Sequence, residues 1–370
     1  MAIERNPRAP VLDLSRPAGA VEVEVDVAEA AEVLMSICAL GDRTDYDTYD
    51  LGAEWLNALR EAIPPDLLAT VDELMLGSGK VSAHLLGLVL ETPKPRTFAA
   101  FLDQLKATDP LEIKLHVLGR FTGASSHLPP ADVIERAARG DEEAKESFLA
   151  PLLEYSDKHA SSRDLLELHE DELKRRLVDL LPRWHELVFL PHEPEWRAAA
   201  ERDAEAKRAL VPSRSPEQLV ELATRGYQYT PAPDIRRIVL FPSWWMRPWV
   251  ILWEHKGAKI FAYPMPALPE DEGASRAEVA RVYKALGDEG RLKLLRRLND
   301  GPLKLSEAAA ELGVAKSTAH HHLAILRHAG FVTIRDEDEN VYSLRHDLLP
   351  RAGELLGDYL GSSRSSATSA

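Results

Sequence analysis

Residues 305–330, LSEAAAELGVAKSTAHHHLAILRHAG, carry the side chains best suited to binding another molecule. The polar ones cluster around the start of the second half: Lys316, Ser317, Thr318, His320 and His321. Hydroxyl and imidazole groups donate to or accept from base edges, and a lysine ammonium contacts phosphate oxygens. If a helix begins near position 316, its first-turn amides add a second attraction for phosphate. This combination predicts contact with double-stranded DNA.

Two short helices joined by a glycine turn would hold these side chains in place. The first has an apolar face that repeats at i, i+3, i+4 and i+7: Leu305, Ala308, Ala309 and Leu312. Gly313 follows it, where a helix ends and the chain needs a left-handed residue. The second has a buried face formed by Ala319, Leu323 and Leu326. The pattern predicts a helix-turn-helix whose second helix exposes its N-terminal polar residues.

The flanking patterns complete a larger unit. Upstream, helical periodicity runs from about Ser275 to Leu286 and from Arg291 to Leu298. Downstream, the alternating segments FVTIRD and NVYSLR are separated by a turn-forming run around 338–340, which predicts a β-hairpin. A last helical pattern runs from about Leu348 to Leu360. Three helices followed by a hairpin are typical of a winged helix-turn-helix.

In this region the chain resembles the ArsR family of bacterial winged-helix regulators. The family pattern is an aromatic residue and ALGDxxRLxIL, followed by LAxxLGxSxSTxSxHLxxLxxAGLV. It is matched at Tyr283, Ala285, Leu286, Gly287, Asp288, Arg291, Leu292, Leu295, Ala309, Leu312, Gly313, Ser317, Thr318, His322, Leu323, Leu326, Ala329, Gly330, Phe331 and Val332. The resemblance covers about a quarter of the chain, from about 275 to 360. It implies sequence-specific DNA binding, usually repression at a promoter operator, by a homodimer held together by the first and last helices of the domain.

The predicted DNA contacts follow from this polar face and from the wing. They are Lys316, Ser317, Thr318, His320, His321 and Arg327 in the second helix, and Arg335 and Arg345 on the wing strands. His320 stands where the family most often has serine, and His322 matches the family's structural histidine near the buried face. The wing tip reads DEDE at 336–339, where the family is usually basic. Because DNA phosphates repel carboxylates, we expect this tip to stand clear of the duplex.

The same region argues against a bound metal. Founding members of the family bind metals through cysteines before the recognition helix; here those residues are Leu303, Lys304 and Leu305, and the only cysteine is Cys38. A second metal site of the family uses carboxylates and histidines on the last helix. The groups available there in this chain lack two histidines at helical spacing: His346, Asp347, Glu354 and Asp358. Consecutive helical residues point about 100° apart, so histidines 320–322 cannot chelate one ion. We predict no metal and no cofactor.

The charge distribution fits a DNA-binding part joined to an acidic part. The 370-residue chain has a net charge of −15, but residues 271–370 hold 14 basic and 15 acidic residues, and residues 1–270 hold 31 and 45. From Asp288 to Arg335 the counts are 8 and 5, so this stretch is locally positive. The acidic remainder should face away from the duplex. A single cysteine, no apolar run of 18 residues and no charged-then-apolar leader predict a cytoplasmic, nucleoid-associated protein.

The whole chain predicts a mainly α fold with small β elements. We expect a disordered tail over 1–19, an α+β sensor domain over 20–265, a linker over 266–274, the winged helix-turn-helix over 275–360 and a disordered tail over 361–370. In the sensor domain, VEVEVDV alternates like a strand, and helical patterns then dominate to about Arg225. One long charged helix is predicted from about Arg163 to Val188.

Three strand-like runs follow the helices, at 235–243, 247–255 and 258–265. Residues 248–253 are apolar on both faces, which predicts a central strand covered on both sides. Four of the seven tryptophans lie in or beside these runs: Trp244, Trp245, Trp249 and Trp253. They would form either the wall of an effector pocket or a core of helices packed on a sheet, and we favour the core.

The motifs that catalysis usually needs do not occur in the sequence: GxSxG, a phosphate-binding glycine loop or HExxH. We therefore expect no enzymatic activity. The favoured function is a homodimeric repressor that binds an inverted-repeat operator and senses an unknown effector through its N-terminal domain. The alternative is a winged helix that binds proteins, which the acidic wing and the acidic N-terminal domain favour.

Overall fold

The structure is a computed structural model that describes residues 21–75, 81–121, 128–155, 162–265, 273–335 and 340–365. The predicted N-terminal tail, most of the predicted linker and the acidic wing tip lie outside the described residues. The predicted C-terminal tail does so only in part, because residues 361–365 continue the last helix. None of the described helices combines the length and the apolar character that a membrane span needs.

The N-terminal part is mainly helical, as its periodicity predicts. Its α-helices are α1 (Glu29–Gly41), α2 (Ala53–Ala62), α3 (Pro65–Leu74), α4 (Val81–His84), α5 (Leu86–Glu91), α6 (Phe98–Ala107), α7 (Pro110–Val117), α8 (Ala131–Ala138), α9 (Glu142–Tyr155), α10 (Ser162–Glu167), α11 (Glu170–Trp184), α12 (Glu193–Arg208) and α13 (Pro216–Thr224). The apolar residues of α1 are buried on every side, so this helix forms the centre of the N-terminal core. Ser215 begins α13 with a reciprocal capping box to Gln218.

The single long helix predicted over 163–188 is wrong. The chain forms α10 and α11 there, and then a π-helical segment at His185–Phe189. His169 separates the two helices because its backbone is extended and its imidazole Nδ1 accepts the amide of Asp171 at 3.3 Å. Three acidic residues in the first turn of α11 favour a new helix start at this position. The amphipathic period continues across the break, which is why periodicity alone did not reveal it.

The strands form two small sheets. Their bounds are β1 (Glu22–Val25), β2 (Tyr227–Gln228), β3 (Arg237–Ser243), β4 (Ile251–His255), β5 (Ala258–Pro264), β6 (Leu303–Lys304), β7 (Val332–Arg335) and β8 (Val341–Leu344). The first sheet has the order β1-β3-β5-β4, in which β1, β3 and β5 are parallel and β4 is antiparallel to β5. The central strand predicted at 248–253 is therefore wrong, because β4 lies at the edge and β3 and β5 are central. Its second apolar face contacts helices instead; the Trp253 ring, for example, stacks on His84 of α4 at 4.4 Å.

The C-terminal part confirms the predicted winged helix-turn-helix. Its helices are α14 (Gly273–Leu286), α15 (Glu289–Asn299), α16 (Leu305–Leu312), α17 (Lys316–His328) and α18 (Arg351–Ser365). Strands β7 and β8 form the antiparallel wing, and β6 pairs with β8. Gly313 ends α16 in the left-handed conformation at φ 69°, which a glycine adopts without steric cost.

The N-terminal part packs directly on the winged helix. Strand β2 pairs in parallel with β7, so Tyr227 lies opposite Ile334 and Gln228 opposite Arg335. A continuous hydrophobic core joins the two parts and includes Val220, Tyr227 and Phe261 together with Leu326, Val332 and Tyr342. This four-stranded sheet, β2-β7-β8-β6, thus contains one strand of the N-terminal part and three of the C-terminal part. This shared sheet and core determine where the recognition helix lies relative to the N-terminal part.

Candidate nucleic-acid interface

Helix α17 presents its first turn to solvent. Lys316, Ser317 and Thr318 are all exposed, as the helical wheel predicts. Ala315 precedes the helix in an extended conformation, and its methyl side chain makes no cap hydrogen bond. The first-turn amides and the three polar side chains therefore lie together at one helix end, where a phosphate group and a base edge could both be contacted.

The opposite face of α17 packs into the winged-helix core. Ala319, Leu323 and Leu326 are buried. The His322 side chain lies near this face, with its Nδ1 3.5 Å from Oδ1 of Asp288, the residue that caps α15. Burial lowers the pKa of His322, although Asp288 acts in the opposite direction. His322 is thus placed to support the packing of α17 on α15.

The next turn of α17 is covered by the N-terminal part. The indole ring of Trp249 stacks on His320 with a centroid distance of 5.8 Å and an interplanar angle of 19°. The same ring lies 5.9 Å from the His321 ring, tilted by 35°. Burial lowers the pKa of His321, while the charges of Asp47 and Asp45 partly oppose this effect. Two of the predicted DNA contacts are therefore in contact with a tryptophan of the same chain.

A polar network holds the residues around Trp249, the covering segment, against α17. The Trp249 Nε1 donates a 3.0 Å hydrogen bond to the Thr48 hydroxyl oxygen. Near the end of α17, His328 Nε2 lies 3.0 Å from Asp50 Oδ2. Burial lowers the pKa of His328 to about 4, so at neutral pH the imidazole is uncharged and Nε2 donates to the Asp50 carboxylate. Thr48 thus contacts the tryptophan that covers α17, and Asp50 contacts α17 itself.

The predicted DNA contact by Arg327 needs correction. This side chain is 6% exposed, and its guanidinium donates to the backbone oxygen of Thr224 at the end of α13. Burial lowers the pKa of Arg327 to about 10, so it remains charged at neutral pH. Position 327 lies one turn beyond Leu323 on the helical wheel, which is a signal for burial that the sequence contained. In this structure Arg327 joins the two parts of the chain.

The two wing arginines lie at different ends of the hairpin. Arg335 is exposed at the end of β7 that precedes the acidic tip. Arg345 is half-buried directly after β8, where its amide donates to the Phe331 oxygen at 2.8 Å. The hairpin therefore separates these side chains along its length, and only Arg335 lies beside the tip.

The four clustered tryptophans occupy three different environments. Trp244 and Trp245 contact each other and Trp55 edge-on or tilted, at centroid distances of 5.4 to 5.7 Å. Trp249 covers α17, and Trp253 stacks on His84. They do not form the single wall that an effector pocket would require. The contact of Trp249 with α17 was missed because no local pattern relates positions separated by some 70 residues.

A buried carboxylate supports the tryptophan pair. Glu32 of α1 is 2% exposed, and its Oε1 accepts the amides of Trp244 and Trp245 at 2.6 and 3.0 Å. Burial raises the pKa of Glu32 to about 7, even though these amides and Arg247 act to lower it. The segment that leads to Trp249 is thus anchored on the central helix of the N-terminal core.

Comparisons with known proteins concern the C-terminal part. Residues 288–333 match the family described as "Bacterial regulatory protein, arsR family". The chain is 37% identical over 67 residues to the "HTH-type transcriptional regulator NmtR" of Mycobacterium tuberculosis, which covers 18% of this chain and 55% of that protein. It is 39% identical over 80 residues to the "HTH-type transcriptional regulator CmtR" of the same species, covering 21% and 68%.

A third relative is the "Uncharacterized HTH-type transcriptional regulator YceK" of Bacillus subtilis, 38% identical over 71 residues, which covers 18% of this chain and 71% of that protein. No solved structure matches the chain. The chain spans about half the length of the first of these relatives and about two thirds of the other two. The matched residues include the exposed turn of α17 and the helices that position it. The chain therefore belongs to the arsR family of bacterial regulatory proteins, and the matched residues are those of its C-terminal winged helix-turn-helix.

Proposed function

We propose that this regulator is a homodimeric repressor in which the N-terminal part controls access to the recognition helix. One observation carries the proposal: the Trp249 ring stacks on His320 and lies tilted against His321, on the face of α17 that a major groove would receive. The same side chains cannot contact Trp249 and a base edge at once. DNA binding through these histidines therefore requires the segment around Trp249 to move.

Electrostatics act in the same direction. Asp45 and Asp47 contribute negative charge at His321, and Asp50 bonds to His328. Phosphates of a duplex docked on this face would be repelled by these carboxylates. The covered arrangement and the DNA-bound arrangement are thus two states, and an effector that binds one of them better shifts the population toward it. The N-terminal part would act as a sensor by this shift in population.

The dimer proposal rests on exposed apolar side chains of the outer helices. Tyr283 on α14 is 38% exposed and Leu360 on α18 is 58% exposed, although the two helices pack on each other. Large apolar side chains that remain exposed on paired helices favour burial against a second copy. A symmetric dimer would place two recognition helices about one DNA turn apart, roughly 34 Å, which calls for an inverted-repeat operator.

The proposed operator is sought by footprinting the full chain on the DNA upstream of its own gene. We expect protection of two half-sites, and we expect the Lys316→Ala, Ser317→Ala double variant to bind more weakly by about 1–3 kcal/mol for each base contact that the substitutions remove. Ser147→Ala, on the exposed face of α9, is the matched control and should leave binding unchanged. Equal affinity of the double variant and wild type would refute the assignment of α17 as the reader.

The alternative, a winged helix that binds proteins, is favoured by the four acidic residues of the wing tip and by the acidic N-terminal part. Salt dependence separates the two functions. Binding to DNA must weaken steeply as salt concentration rises, because each contacted phosphate releases counterions. Binding to the upstream DNA that is insensitive to both salt and sequence would leave protein binding as the better explanation.

A further inference from the structure

A second cluster of polar side chains lies in the N-terminal part, outside the residues that match the family. Glu91 is the last residue of α5, and Glu112 and His116 lie one turn apart on α7. One carboxylate oxygen of each glutamate and one imidazole nitrogen of His116 lie within 4.8 Å of one another. Ligand atoms at about 2.0–2.2 Å from one tetrahedral divalent ion lie roughly 3.4 Å apart, so side-chain shifts of about an ångström would complete the site.

His116 gives the cluster its chemistry. The residue is 1% exposed, and neither ring nitrogen has a hydrogen-bond partner among the described residues. Leaving a buried polar nitrogen unpaired costs free energy, and a cation held by the two neighbouring carboxylates would pair with the lone pair of this imidazole. A metal ion binds an imidazole through such a lone pair, so His116 supplies the nitrogen ligand of the cluster.

His255 holds one of the carboxylates in place. Its Nε2 lies 2.7 Å from Oε1 of Glu91, and its side chain is 2% exposed. Its Nδ1 faces Gly87, where a Cβ atom would come within 2.5 Å, so only glycine on α5 leaves room for this ring. A histidine that donates to a ligating carboxylate is a usual outer partner of a metal site. His255 is thus a positioning residue and not itself a ligand.

Lys256 indicates where a cation is stabilised. Its ammonium bonds to Glu91 Oε1 and lies 4.0 Å from Glu112 Oε1, so it already lies between the two carboxylates. The side chain is 55% exposed, so the ammonium is able to swing into solvent. A metal ion at the same position would replace this single charge by a double charge and would gain the His116 nitrogen as a ligand.

We propose that Glu91, Glu112 and His116 bind one first-row divalent metal ion, in competition with the Lys256 ammonium. One nitrogen and two oxygen donors without a thiolate suit Zn²⁺, Co²⁺ or Mn²⁺, with affinity rising from Mn²⁺ through Co²⁺ to Zn²⁺. The sequence contains one signal for this site, the Glu-x-x-x-His spacing of residues 112–116 on a single helix. The third ligand becomes visible only when α5 is placed beside α7. A metal bound here would overturn the sequence-based expectation of no metal, and binding at this site can be measured without DNA.

The test is a Co²⁺ titration of the full chain after chelator treatment and dialysis, followed by absorption, with Zn²⁺ as competitor and Mg²⁺ as a poor ligand. We expect one ion per chain. Glu112→Gln and His116→Ala should each weaken Co²⁺ binding by roughly 100-fold or more, and His255→Ala by roughly 10- to 100-fold. Glu61→Gln, an exposed carboxylate on α2, is the matched control and should bind as wild type does.

Lys256→Gln provides a result of opposite sign. Removing the competing ammonium should tighten Co²⁺ binding by about fivefold or more, which a purely structural ion-pair cluster would not produce. Circular dichroism confirms that each variant is folded; Glu112 is half-exposed, so Glu112→Gln keeps the test informative if His116→Ala unfolds. Co²⁺ binding that is unchanged in Glu112→Gln, or that is not tightened in Lys256→Gln, would overturn the proposal and identify adventitious surface binding.

Discussion

Replacing Trp249 by alanine should make this regulator bind its operator more tightly. The indole ring contacts two side chains of the recognition helix, His320 and His321, at centroid distances of 5.8 and 5.9 Å. An aromatic pair contributes about 0.5–1.5 kcal/mol beyond its buried area, so two such pairs stabilise the covered state by about 1–3 kcal/mol. Their removal shifts the equilibrium toward the uncovered state by roughly 5- to 150-fold.

The gain in DNA affinity has an upper bound. The apparent dissociation constant equals the intrinsic one divided by the fraction of uncovered molecules, so the affinity rises only until every molecule is uncovered. Thr48→Val should act in the same direction with a smaller effect. It removes the 3.0 Å hydrogen bond that orients the indole but keeps the ring and its stacking.

The assay is fluorescence anisotropy of the full chain with labelled operator DNA at one fixed salt concentration. Trp253→Ala is the matched control, since Trp253 stacks on His84 and not on α17, and the variant should bind DNA as wild type does. Thermal unfolding of each variant separates a loss of stability from a change in affinity. If Trp249→Ala binds DNA no better than Trp253→Ala, the covering segment does not compete with DNA and the proposed control is wrong.

Three further outcomes are expected. Lys316→Gln should lower the slope of log affinity against log salt by about 0.9, because it removes one phosphate contact. Arg327→Gln should leave this slope unchanged, because the Arg327 guanidinium bonds to Thr224 and not to DNA. Equal slopes for the two variants would contradict the assignment of Lys316. The folded-state pKa of Glu32 is raised from 4.5 to about 7, so the contribution of this residue to stability falls as pH rises through this window. In urea titrations, the unfolding free energy of Glu32→Gln relative to wild type should therefore rise by roughly 3 kcal/mol from pH 4 to pH 8. A constant difference would show that Glu32 titrates normally. Leu360→Arg should convert the dimer to a monomer in analytical ultracentrifugation, and an unchanged sedimentation coefficient would exclude α18 from the interface.

The sequence alone was sufficient to predict the winged helix-turn-helix. The apolar period of α16 and α17, the glycine between them and the alternating wing strands are local patterns, and each depends on backbone geometry within a few residues. The same locality explains why Lys316, Ser317 and Thr318 were placed correctly on the exposed turn. The periodicity of α17 did not predict that Trp249 covers His320 and His321, or that Arg327 bonds to Thr224, because both contacts are made with distant residues.

Only the tertiary structure showed that Trp249 covers part of the recognition helix α17. An apolar strand pattern is the same for a central strand and for an edge strand packed under helices, so β4 was misplaced. The pairing of β2 with β7, the stacking of Trp249 on His320 and the meeting of Glu91 with His116 join residues that share no local period. These contacts follow from how the N-terminal core orients its surface elements, and a local pattern carries no information about its distant partner.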